Sequence, residues 1–153
     1  MVEKLKELKR VSEELKIVRD RFAKLKEQYS TFVETAKKET QSNVLLSVKV
    51  LEGDSNATFI EYLDRRAQLV FAFDRVDAQG YVRAYDVTPP PCEFGRIDEH
   101  AKPFFTFSFD SSGVTNLQPV GLTNAVPSLS NENDVLCIML NIVDALLKKS
   151  RPV

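Results

Sequence analysis

Apolar residues recur along the first forty positions of the chain at alternating steps of three and four. The stripe consists of Leu8, Val11, Leu15, Val18, Phe22, Leu25, Tyr29, Phe32 and Ala36. No proline or glycine interrupts it, and most intervening residues are polar or charged. A repeat of this kind predicts a helix whose apolar seam is buried against a partner helix. We therefore predict a coiled-coil stalk over residues 1–40, with the positions from Leu8 to Phe32 as its dimerisation residues.

The charged residues flanking this seam indicate what kind of helix pairs with it. In a parallel homodimer Glu14 faces Arg19 of the other chain favourably, whereas Arg21 faces Lys26 and is repelled on both sides of the dimer. Exposed pairs of this kind contribute only about 0.2–0.5 kcal/mol each. The pattern favours a heterodimer with a more acidic second chain over a homodimer. The aromatic residues near the end of the seam are bulky for a two-stranded coiled coil. They predict a wider junction where the helix approaches the head.

Beyond a polar stretch at residues 40–43 the periodicity changes from the helical repeat to the alternation of β-strands. Strands are predicted at 44–50, 58–63, 68–73, from Gly80 onward, at 103–109 and at 114–120, with a turn at 110–113. The segment 58–63 is also compatible with a short helix. A capped apolar helix is predicted over Val135–Leu147, following the polar residues 130–134. We expect an α+β protein with a stalk at 1–40 and a globular head at 43–153.

Charge and composition argue against several function classes. Residues 1–40 hold 11 Lys/Arg and 8 Asp/Glu, whereas residues 41–153 hold 10 and 14, so the head is acidic and a poor candidate for nucleic-acid binding. The one histidine, His100, lies in an acidic loop without evident catalytic or ligating companions. Arg65 and Arg66 form a small basic spot between two predicted strands, interpreted as a solvated turn, with a contact to a partner protein or to nucleic acid as the alternatives. We predict no catalytic residues, no metal site and no cofactor.

The cysteines and the hydropathy pattern indicate an intracellular protein. Cys92 follows a proline run and Cys137 lies in the predicted terminal helix, so both are interpreted as reduced thiols. No apolar run approaches the ~20 residues that span a bilayer, and the Lys/Glu-rich start lacks the apolar core of a secretory signal. We expect no membrane association.

Three segments carry a resemblance to a known family. They are QLVFAFDRVD at 68–77, PFFTFSFDSSGVTNL at 103–117 and SLSNENDV at 128–135. Together with the heptad stalk they resemble the RWD-type heads of coiled-coil kinetochore proteins. The pattern is most similar to the small head-bearing subunits of the four-chain outer-kinetochore complex. The homodimeric monopolin-type adaptor is a close rival, and residues 80–102 depart from the family pattern as extra material.

The resemblance implies an RWD-like head, made of an antiparallel sheet packed by the C-terminal helix. It also implies a non-enzymatic adaptor in the nucleus, at the centromere or kinetochore. Such an adaptor pairs with a second coiled-coil chain and receives a segment of a centromere or kinetochore protein with its head, for chromosome segregation. The resemblance does not assign the partner-binding surface to particular residues. An accessory RWD-like domain of the ubiquitin-conjugation machinery is the alternative from another functional class.

Overall fold

The computed structural model describes residues 1–43, 46–53, 57–88, 102–118 and 126–149. In chain order its elements are α1 (Val2–Ser42), β1 (Val48–Glu52), β2 (Thr58–Tyr62), β3 (Arg65–Asp74), β4 (Gln79–Asp86), β5 (Phe105–Phe109) and α2 (Glu132–Lys148). A long N-terminal helix, a five-stranded antiparallel sheet and a C-terminal helix confirm the predicted α+β fold class.

The sheet is a simple meander in which each strand pairs antiparallel with the next, in the order β1-β2-β3-β4-β5. The period-two alternation places one set of apolar side chains on a single face. That face includes Val50, Ile60, Leu69, Val82 and Phe107, all at most 6% exposed. Because both helices cover this face, the core lies between one sheet and two helices.

The C-terminal half of α1 belongs to this core. Leu25 and Phe32 are fully buried, Ala36 is 1% exposed and Val33 5% exposed. The Phe32 ring meets the Phe107 ring edge-on, with 5.8 Å between centroids. The segment expected to form the second half of a free stalk therefore packs on the sheet of its own chain.

The C-terminal helix α2 starts where its caps predict. The Asn131 side chain accepts a hydrogen bond from the Asp134 N–H, and Asp134 Oδ2 accepts one from the Ser128 N–H. The first bond satisfies an N–H donor that the first turn of a helix leaves without a partner, and the second ties the preceding segment to that turn. The buried side chains of α2 form a wide apolar arc against α1 and the sheet: Val135, Ile138, Met139, Ile142, Val143 and Leu146.

Two of the predicted strands depart most from the observed structure. β1 begins at Val48 because Ser47 has a φ of 56°, which breaks the extended backbone, and Leu46 lies in a short helical turn. The predicted strand 114–120 is reduced, among its described residues, to isolated bridges at Val114 and Thr115. Positions 44, 45, 119 and 120 of these two predicted strands lie outside the described residues, as do Cys92 and His100.

The interpretation of Arg65 and Arg66 as a solvated turn is wrong. Arg65 starts β3, is 4% exposed, and places Nη2 3.2 Å from Asp86 Oδ2 at the end of β4. Arg66 pairs with Glu61 on β2, directly opposite in the register. Both guanidinium groups are taken up by cross-strand carboxylates, which the sequence alone did not reveal because the partners lie on other strands.

Candidate protein–protein interface

The helix α1 leaves the sheet at Phe22. The Phe22 ring still contacts the head, with centroids 5.9 Å from Phe71 and 5.7 Å from Phe73, yet the residue is 38% exposed. One turn later Leu25 is completely buried. The boundary between the exposed and the covered part of the stripe therefore lies between these two residues.

The part of the stripe before this boundary is open to solvent. Exposure is 66% for Leu8, 38% for Val11 and 57% for Leu15, while Val18 is half-buried. We call Leu8, Val11, Leu15, Val18 and Phe22 the N-terminal seam. About 20 helical residues lie ahead of the head and extend roughly 30 Å at 1.5 Å per residue. Exposed leucines in a continuous row on a helix mark an interaction surface more often than isolated ones do.

The eight predicted dimerisation residues fall into two groups. Five make up the N-terminal seam, whereas Leu25, Tyr29 and Phe32 pack within their own chain. The Tyr29 ring stacks on Phe71 with centroids 5.3 Å apart, and burial raises the pKa of its hydroxyl. In this conformation the second group offers little surface to a partner helix. The aromatic residues toward the end of the stripe predicted a wider junction, but they did not indicate that this part packs on the sheet of its own chain.

This division changes the charge argument about the partner. Arg21 and Lys26 would oppose each other in a parallel homodimer, but Lys26 lies past the last free seam position. Its Nζ instead lies 5.8 Å from the centroid of the Phe22 ring in the same helix. The repulsion that favoured a heterodimer therefore concerns a segment already covered by the head.

A smaller apolar row lies on the outer side of α2. Leu140 is 37% exposed, Leu147 is 46% exposed and Leu136 is half-buried. These three residues, the α2 leucine row, continue the buried arc of the helix onto the surface of the head. The row is the most apolar part of α2 that the core leaves uncovered.

The face of the sheet opposite the helices is mixed in character. Tyr81 and Arg83 lie there, beside a shallow, open depression of about 400 Å³ lined by Ala72, Phe73, Asp74, Arg75, Tyr81 and Arg83. On the same face Gln68 Oε1 is buried without a hydrogen-bond partner. Arg66 covers the Phe59 ring at 5.3 Å and pairs with Glu61. The charge of Arg66 on this face is thus compensated by the neighbouring strand β2.

Within the described ranges we find no group of His, Cys, Asp and Glu side chains arranged to hold a metal ion. Cys137 is an unpaired thiol, half-buried in α2. In the same part of the chain no helix is long and apolar enough to span a bilayer. The surface with the most evident capacity for recognition is the N-terminal seam.

Comparisons of the chain with protein-family models, with curated proteins and with solved structures found no match. The resemblance to RWD-type kinetochore heads therefore stays a prediction from the sequence.

Proposed function

We propose that this protein is a coiled-coil adaptor of the chromosome-segregation machinery, acting in the nucleus at the centromere or kinetochore. It pairs through α1 with a second helix and binds a segment of another protein with its head. The N-terminal seam is the observation that carries the proposal, since Leu8 and Leu15 are both more than half exposed on a helix anchored to its own head. Burying such side chains contributes about 25 cal/mol per Å² of apolar surface.

The head supplies the second binding function of the adaptor. The α2 leucine row is the preferred docking site, because an apolar row on a helix suits the apolar face of a short partner helix. Leu140 and Leu147 follow the core residues Met139 and Leu146 in the sequence but lie on the exposed side of α2. They can therefore be changed without opening the core. The role is non-enzymatic and uses no cofactor.

A homodimeric crosslinker of the monopolin type is the second candidate. The observation in its favour is that the free seam ends at Phe22, which removes the contact between Arg21 and Lys26 from the paired region. The two candidates share the same stalk-and-head plan and differ in whether the second helix comes from the same or from a different chain.

The subcellular localisation of the tagged protein in dividing cells of its own organism tests the proposal. We expect foci at centromeres for the wild type, loss of the foci for the double variant Leu8→Lys/Leu15→Lys, and retention for the matched control Ile17→Lys. Ile17 is 51% exposed but lies on the opposite side of α1 from the seam. A diffuse or cytoskeletal distribution of the wild type would overturn the assignment to chromosome segregation.

A further inference from the structure

The apolar face of α1 has two different environments along its length. From Leu25 onward it is covered by the sheet and by α2, whereas before Phe22 it is exposed. α1 is one unbroken helix from Val2 to Ser42, and the head lies on the same side of it as the seam. Any partner of the N-terminal seam must therefore approach from the side on which the head already lies.

This geometry excludes one way of pairing two copies. In a parallel, in-register coiled coil the two helix axes run about 8–10 Å apart with their seams facing each other. Each head would then lie between the two helices at the same height, so both heads would occupy the same volume. Such a dimer would require α1 to bend sharply at Phe22, where the helix contains no proline or glycine.

We propose that the N-terminal seam binds the N-terminal seam of a second copy of this chain in antiparallel orientation. This inference rests on the proposed function, because it assumes that α1 pairs, and it assigns the direction and the identity of the second helix. In the register that uses the whole seam, Leu8 faces Val18 of the second copy and Val11 faces its Leu15. The two heads then lie at opposite ends of the paired segment and do not meet.

Charge complementarity supports this register. Glu7 of one copy lies beside Arg21 of the other, and symmetry makes this contact twice. Glu14 meets its own symmetry mate, but Arg10 Nη1 already lies 2.7 Å from Glu14 Oε1 within each helix and offsets that repulsion.

The end of the seam also fits the first turns of α1 from a second copy. Phe22 faces Lys4 of the second copy, and the exposed edge of an aromatic ring accommodates the stem of a lysine side chain. The β3–β4 turn follows Phe73, which contacts Phe22, and carries Asp74 and Asp77. Their carboxylates belong to the face of the sheet opposite the helices, where Asp74 lines the depression and Asp77 accepts a hydrogen bond from Tyr81, so they take no part in this contact.

A single charge reversal separates the two orientations. Arg21→Glu converts both contacts with Glu7 of the second copy from attraction to repulsion in the antiparallel dimer, which weakens dimerisation about five- to tenfold. In a parallel dimer paired through the N-terminal seam Arg21 has no Glu7 opposite it, so the same change would not weaken binding. Adding Glu7→Arg restores the antiparallel dimer. Lys24→Glu, on the outer face of α1, is the matched control and leaves the dissociation constant unchanged.

The distance between two spin labels tests the orientation directly. Both native cysteines are replaced (Cys92→Ser, Cys137→Ala), and a label is attached at Ser30→Cys, an exposed position in the head-bound half of α1. In the antiparallel register the two labels are 34 residues of helix apart, roughly 50 Å at 1.5 Å per residue. A parallel pair would place them within about 35 Å, even if the helices diverge at Phe22.

The outcomes distinguish this inference from the proposed function. A dimer with the long label distance and a dissociation constant raised by Arg21→Glu supports the antiparallel second copy. A dimer with the short distance overturns the orientation while leaving a pairing adaptor intact. If the chain stays monomeric at all concentrations and pairs only with a different helix, a second copy does not bind the N-terminal seam and the inference is overturned. Absence of any pairing overturns the proposed function together with the inference.

Discussion

Gly80 shows how closely a single residue is fitted into this core. It lies on β4 directly opposite Phe109 on β5, and the Phe109 ring packs over its backbone. A Cβ at this position would lie 2.8 Å from the ring atoms Cε1 and Cε2. The sequence suggested only that Gly80 begins a strand. Its packing role could not be predicted, because it depends on which residue the register places opposite.

We expect Gly80→Ala to destabilise the protein by about 1–3 kcal/mol, since the added methyl group must displace a buried ring. Chemical denaturation measures the change in the free energy of unfolding. The double variant Gly80→Ala/Phe109→Leu should lose less stability than the sum of the two single variants, because the smaller side chain makes room. Additive losses would contradict the proposed contact.

The cluster around Asp86 gives the stability a dependence on pH. Burial tends to raise the pKa of this carboxyl, but two hydrogen bonds from Thr88 together with nearby Lys149 and Arg65 outweigh it and hold the pKa below its ordinary value. Because the pKa is lower in the folded state, the contribution of the charged carboxylate is present at neutral pH. It is lost as the pH falls through the folded-state pKa.

Asp86→Asn should therefore cost about 1–3 kcal/mol at pH 7, with the difference from the wild type shrinking as the pH approaches 3. Urea titrations at several pH values measure this. Asp144→Asn is the control, because the Asp144–Lys148 pair is largely exposed and its removal should change little. A difference between Asp86→Asn and wild type that stays constant with pH would contradict the account.

Leu63 is held in an unfavourable backbone conformation. It lies in the two-residue turn between β2 and β3 with a φ of 55° and is 72% exposed. A left-handed backbone costs a non-glycine residue about 1–2 kcal/mol. We expect Leu63→Gly to leave stability unchanged or to raise it slightly.

The matched control for that variant is Val76→Gly in the β3–β4 turn. Val76 is 91% exposed and is not among the residues with positive φ, so glycine there should destabilise through the added freedom of the unfolded chain. Thermal unfolding of the two variants compares them. A larger loss for Leu63→Gly than for Val76→Gly would show that the turn is not strained.

At the scale of elements, the sequence patterns predicted most of the fold. The strand at Gln68–Phe73 and the helix at Val135–Leu147 both lie within the observed β3 and α2, and alternation correctly placed Phe107 and Phe109 on one face. What the heptad pattern could not reveal is the partner of the stripe. The same spacing of apolar residues serves a second helix or a sheet of the same chain, so Leu25 and Phe32 gave no sign of which surface buries them.

Deletions within α1 test this division of the helix. Removing residues 1–18 takes away only exposed or half-buried positions, so the shortened protein should fold with a melting temperature close to that of the wild type. Removing residues 1–36 deletes Leu25, Phe32 and Val33 from the core and should abolish cooperative unfolding. Circular dichroism on heating measures both. A cooperative transition after the longer deletion would contradict the packing of α1 on the sheet.

At the scale of the whole molecule, the helix α1 has two roles. Its second half stabilises the head, while its first half projects about 30 Å beyond it and presents the N-terminal seam. The sequence predicted that this seam exists, but its length and the side from which a partner approaches depend on the position of the head. Those two features are what limit the modes of pairing.

The central claim is that the N-terminal seam drives association of the full-length chain. Sedimentation velocity over a range of concentrations tests it most directly, with the wild type compared with Leu8→Lys/Leu15→Lys and with the control Ile17→Lys. We predict a concentration-dependent, elongated dimer for the wild type and for Ile17→Lys, and a folded monomer for the double variant. A wild type that stays monomeric throughout, or a double variant that dimerises as well as the control, would contradict the account.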